Sequence, residues 1–166
     1  MKNYKTIKIG QGIDNIILGN HLTDVITNLP PATYIRSLDQ EAEVFREHGY
    51  VTENFLQFQI GFDEIHQYQE LEDYPIFKLF FKDERLVYII FTSYTVRDEV
   101  YQNIELDNGI RFFDSMETVR KRMGEFDKTL AMESYDGKFT YYSQGVELIF
   151  AENTLRVINL FKPFGR

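Results

Sequence analysis

Apolar positions along the chain follow two spacings, one helical and one extended. Leu22, Val25, Ile26 and Leu29 fall at i, i+3, i+4 and i+7, the stripe of a single buried helix face. Pro30-Pro31 stops that helix, since proline lacks the N–H and clashes with the preceding turn. Met116, Val119 and Met123 form a similar stripe ahead of Gly124, a residue suited to the left-handed backbone at a helix end. Residues 79–91 and 148–160 are instead rich in branched and aromatic side chains. Each is broken by a short polar turn, Asp83-Glu84 in one and Glu152-Asn153 in the other, and each therefore predicts a hairpin. A further helix is expected near Leu38–Glu47, a strand near residues 50–60, and a strand over 138–143 after a turn at Asp136-Gly137.

These elements recur in the same order. At an offset of 94, Ile16, Leu18, Asn20, Leu22, Val25 and Leu29 align with Ile110, Phe112, Asp114, Met116, Val119 and Met123. The hairpins align at an offset of 69, because the first copy carries 25 more residues between helix and hairpin. The expected fold is α+β, two diverged repeats of helix followed by antiparallel β-sheet. Residues 1–96 form the first repeat with an acidic insertion and 97–166 the shorter second one, joined through 97–101 in one compact unit. Asp114 is the expected N-cap of the second helix, with Glu117 completing a capping box. Arg120, Lys121 and Arg122 lie in its last turn, where cations suit the dipole.

Composition narrows the function. The chain has 166 residues, 43% hydrophobic and 16% aromatic, which is enough to bury a core. Its net charge of −8 repels a phosphate backbone, so direct nucleic-acid binding is not expected, while a basic partner is attracted. The absence of cysteine rules out disulfides, thiol catalysis and Cys-based zinc sites and fits a cytoplasmic protein. No apolar h-region follows the basic start of the chain, so no signal peptide is expected. No apolar run is long enough for a helix to cross a bilayer, and no membrane association is expected.

The stretch Leu18-Gly19-Asn20-His21-Leu22-Thr23-Asp24-Val25 with Leu29-Pro30, and residues 110–124, carry a resemblance. They resemble the repeat unit of β-lactamase inhibitory proteins and of BamE-type small lipoprotein domains. The resemblance implies a binding scaffold whose sheet and loops clasp a partner. The chain departs from both groups in having no lipobox cysteine and no cysteine for disulfides. In size, acidity and lack of catalytic motifs it also looks like bacterial toxin-immunity proteins.

Candidate chemistry is sparse. His21, His48 and His66 show no metal-ligating spacing. His21 reads as a residue of the first helical turn and His48 as one near a helix end. No nucleophile elbow, Walker loop or dinucleotide fingerprint is present, and Gly10-Gln11-Gly12 reads as a turn. The distinctive feature is acidic. Residues 63–74 carry five carboxylates and two tyrosines with no Lys or Arg, and Glu41, Glu43 and Glu47 lie on the expected second helix. Such a segment is either a binding face or a charged edge that resists aggregation. Read as a binding face, it comprises Asp63, Glu64, Tyr68, Glu70, Glu72, Asp73 and Tyr74, helped by Glu41, Glu43 and Glu47. The tyrosines would then act as anchors. The expected function is a non-catalytic, cofactor-free inhibitor: an immunity protein covering the active site of a basic toxin such as a nuclease domain. An assembly module of BamE type and an enzyme with an unrecognised site are the alternatives.

Overall fold

The computed structural model of the protein describes residues 5–69, 71, 74–93, 103–129 and 137–164. The chain opens with short strands β1 (Lys5–Ile7), β2 (Gly12–Ile13) and β3 (Ile16–Ile17), then helix α1 (Leu22–Ile26) and strand β4 (Tyr34–Ser37). Helix α2 (Leu38–Glu47), a 3-10 turn (Thr52–Asn54) and helix α3 (Leu56–Ile60) follow. Three long strands come next, β5 (Glu64–Tyr68), β6 (Ile76–Lys82) and β7 (Arg85–Thr92). The second half contains β8 (Ile104–Leu106), α4 (Met116–Met123), β9 (Lys128–Thr129), β10 (Gly137–Tyr141), β11 (Val146–Ala151) and β12 (Thr154–Phe161).

Eight strands form one antiparallel sheet in the order β4-β5-β6-β7-β12-β11-β10-β9. The mixed helix and antiparallel-sheet class is the one the hydrophobic pattern predicts. Beside the sheet, β1 pairs in parallel with β8. Because side chains alternate across a strand, the sheet has two distinct faces. One carries Phe77, Leu79, Ile89, Phe91, Leu148, Ile158 and Leu160, which pack with Val25 of α1 and with Val119 and Met123 of α4. Leu22, Leu29 and Met116 cover the margin of this core and are partly buried. The other face packs through Ile65, Phe80, Tyr88 and Phe161 against Leu56 and Phe62 of the α2–α3 segment.

The two hairpins match in detail. Asp83-Glu84 and Glu152-Asn153 all have positive φ, between 50° and 61°, the conformation that suits the twist of two-residue hairpin turns. The register shifts once in each, between Phe80 and Phe81 and between Ile149 and Phe150. Upstream segments tie into them alike. Gly19 N–H donates to Leu86 C=O and Leu86 N–H to Asn20 C=O, while Phe113 N–H donates to Leu155 C=O and Leu155 N–H to Asp114 C=O.

Several expectations need correction. Asp114 does not cap α4. Its carbonyl is taken by Leu155, so the helix begins one residue later, with Ser115 Oγ accepting from Thr118 N–H at 3.1 Å. Asp114 instead accepts from Arg111 N–H at 2.9 Å. By the same logic His21 caps α1 rather than lying in its first turn, its Nδ1 accepting from Thr23 N–H. The strand expected over 50–60 is absent, and the 3-10 turn and α3 occupy it. Its aromatic residues look β-forming by composition, but Phe55 and Phe58 pack edge-on against Phe45 of α2 at 4.9 and 5.0 Å. Tertiary contact of this kind outweighs local propensity. Helix α2 keeps its predicted bounds because Ser37 and Gln40 form a reciprocal capping box. The expected connection at 97–101 and Asp136 of the expected turn lie outside the described residues. No helix among the described residues is long and apolar enough to cross a membrane.

Val119 is fully buried, so Val119→Ala is expected to lower unfolding stability by about 1–3 kcal/mol, from lost transfer free energy plus a small cavity. Urea titration measures it. Tyr141 supplies a pH test. Its hydroxyl donates to Gly124 C=O at 3.2 Å, and burial pushes its pKa up to about 12. The unfolded phenol ionises first, near pH 10, so this contribution is full below pH 10 and falls as pH rises through 12. Tyr141→Phe should therefore cost about 1 kcal/mol at pH 8, and the gap to the parent should close in denaturant titrations between pH 10 and 12.

Candidate functional site

The register of the sheet assembles a site that no local stretch of sequence contains. On the face toward α2 and α3, one cross-strand row runs Tyr34, Gln67, Lys78, Ile90, Asn159, Glu147, Thr140, each paired with the next on the neighbouring strand. The adjacent row runs Ile76, Thr92, Val157, Ile149, Lys138. Phe45, Phe55 and Gln57 of the α2–α3 segment stand over these rows and enclose a cavity of about 380 Å³.

Charged groups in the cavity wall are held in different ways. Glu147 is buried; its Oε2 accepts from Thr140 Oγ1 at 2.9 Å, its Oε1 accepts from Asn159 Nδ2 at 3.1 Å, and the Tyr88 hydroxyl stands 3.5 Å away. Neutral donors thus carry the charge, in line with the rule that a buried ion needs hydrogen bonds. Burial, with the Glu147 carboxylate nearby, holds the Tyr88 hydroxyl well above the usual phenol range. Near β4, buried Glu41 of α2 accepts from Arg36 Nη1 at 3.1 Å and lies 3.8 Å from Lys78 Nζ. Burial lowers the Lys78 pKa, the Arg36 charge pushes the same way, and Glu41 opposes both. Tyr34 donates to Gln67 Oε1 beneath the Arg36 guanidinium. Lys138 is different: it is 3% exposed, its Nζ lies 5.6 Å from the centre of the Phe55 ring, and no carboxylate among the described residues pairs with it.

The structure gives the described residues of the expected acidic face different surroundings. Asp63 is exposed and accepts from Asp83 N–H, holding the β6–β7 turn. Glu64 opens β5 with a carboxylate oxygen 3.3 Å from His66 Nε2. Tyr68 cannot be an exposed anchor: β5 is an interior strand, and Tyr68 is buried, stacked on Phe77 at 4.9 Å. Tyr74 is half-buried; its hydroxyl donates to Asp14 Oδ2, and Lys5 Nζ lies 4.3 Å from its ring centre. Glu41 is likewise buried rather than presented to a partner, whereas Glu43 and Glu47 are exposed on α2. Glu70, Glu72 and Asp73 lie outside the described residues. The histidines stay apart: His48 Nδ1 meets Val44 C=O at 2.8 Å, and buried His66 packs edge-on against Phe81. Among the described residues no group of His, Asp and Glu is placed to hold a metal ion.

Lys78, Lys138, Glu147 and Asn159 did not stand out in the sequence, although a signal existed. Lys78, Glu147 and Asn159 each interrupt an apolar strand whose flanking residues are buried, and a buried polar group is more informative than an exposed one. No protein-family model, no curated protein and no solved structure matches the chain.

Glu41 sits between two cations, which makes it testable. Glu41→Gln is expected to lose about 1–3 kcal/mol of stability, since Arg36 and Lys78 then lack their anion. Adding Lys78→Met should recover part of the loss in guanidinium titrations, because it removes one cation left uncompensated.

Proposed function

We propose that this chain is a non-catalytic binding protein, built from two diverged copies of one helix-plus-hairpin unit, that holds a small molecule beneath the segment its first copy adds. The duplication is supported by the matched turns, register shifts and backbone ties. An offset of 69 carries Ile90 onto Asn159, and these two residues lie opposite each other where β7 meets β12. The copies would thus be related by an approximate two-fold axis through that pair. The added segment contains α2 and α3, and these roof the cavity.

The observation that carries the ligand reading is the cavity of about 380 Å³, with apolar walls and a few buried polar groups. Ligand sites typically measure about 300–1,000 Å³ and have this mixed lining. Holding, not turnover, fits Glu147, whose oxygens are already engaged by donors. A cytoplasmic setting fits a chain without cysteine. A second reading, an immunity-type inhibitor of a basic toxin domain, is favoured by exposed Asp39, Glu43 and Glu47 on α2 together with the net charge of −8.

Ile90 is half-buried in the cavity floor. Compounds that bind the site should raise the stability of the parent, by about 2.7 kcal/mol at one hundred times Kd, and should leave folded Ile90→Trp unchanged. Thermal unfolding across a compound panel measures this. Equal stabilisation of both proteins, or of neither, would reject the cavity as the site. Capture of a basic protein with unaltered affinity for Ile90→Trp would favour the second reading.

A further inference from the structure

We propose that the cavity selects a small organic carboxylate with an apolar body and a hydroxyl or N–H group at its far end, the carboxylate seated at Lys138 and the donor at Asn159. This rests on the reading of the cavity as a small-molecule site. The first support is Lys138. Lys138 is a buried residue lining the cavity, its Nζ 5.6 Å from the centre of the Phe55 ring and without an ion pair among the described residues, and an ammonium covered by a ligand body needs an anion. Glu147 does not serve it, because that carboxylate is held by Thr140 and Asn159, with Tyr88 beside it, and makes no ion pair among the described residues.

The second support is the orientation of Asn159. The residue is 3% exposed, and one amide atom already faces Glu147. The facing atom is Nδ2, which donates to Glu147 Oε1 at 3.1 Å. That leaves Oδ1 as a buried acceptor, and it has no hydrogen-bond partner among the described residues. A ligand donor would complete it.

The third support is the floor between these two groups. Lys138 lies opposite Ile149, and Ile149 opposite Val157, which is two residues from Asn159 on the same face. The anion seat and the acceptor therefore lie two strands and two residues apart, about 12 Å at the backbone, with Ile149 and Val157 between them and the engaged Glu147 carboxylate alongside. Phe45 and Phe55 close the space from above, and their rings suit a flat apolar body. One cation without an ion pair among the described residues matches a monoanion better than a phosphate dianion.

Calorimetry with 4-hydroxyphenylacetate, its methyl ester and phenylacetate, within a wider panel of small carboxylates and their esters, tests the assignment. The hydroxy acid is expected to bind the parent about 10- to 100-fold more tightly than its ester, the worth of a charge-assisted hydrogen bond. Phenylacetate, which lacks the donor, should bind about tenfold more weakly. Lys138→Met should lose the preference for acid over ester and unfold at a higher temperature without ligand, because a buried charge is gone; Lys138→Arg should keep the preference. If esters bind as well as acids and Lys138→Met changes neither affinity nor stability, the carboxylate assignment is overturned while the cavity remains a site. If no acid binds at millimolar concentration but neutral compounds bind the parent and not Ile90→Trp, it is overturned in the same way. Binding of nothing, by parent or variant, overturns both readings.

Discussion

The pairing of β7 with β12 is the contact on which the rest of the molecule depends. It joins four strands from the first half of the chain to four from the second, and its register decides which side chains share a face. Ile89 and Phe91 meet Leu160 and Ile158 on the side of α1 and α4, while Ile90 meets Asn159 on the other. A slip of one residue would exchange the two faces. Either Lys78 or Asn159 and Glu147 would then point into the apolar core, where unpaired polar groups cost several kcal/mol each. The apolar face therefore holds the register, and the register holds the polar row.

The second face tolerates charge because most of it is compensated in place. Glu147 is surrounded by neutral donors, and Glu41 reaches from α2 into the gap between Arg36 and Lys78. The α2–α3 segment contributes in two ways. Its aromatic rings line the cavity from above, and its one buried carboxylate steadies the cations below. Against that background the Asn159 carbonyl has no hydrogen-bond partner among the described residues, and Lys138 has a ring contact but no ion pair there. Functional sites are where such incomplete satisfaction is expected, because a ligand completes it.

Helix α2 and the two long hairpins were legible in the sequence because their determinants are local. Ser37 and Gln40 lie three residues apart and cap the same helix end, and each hairpin turn is two polar residues between apolar runs. The helical stripes were legible for the same reason, a period carried within one turn of chain. Residues 50–60 misled because β-forming side chains were used to build an aromatic cluster against α2, a choice made by packing. The burial of Tyr68 was not legible because the charge around β5 hid an interior strand with Tyr68 in the main core. Composition determined the sign of the net charge and the absence of thiol chemistry. The cavity was decided only in three dimensions: its polar row draws one residue from each of seven strands. Cross-strand register is set by the burial of the opposite face, a long-range constraint that no window of sequence contains.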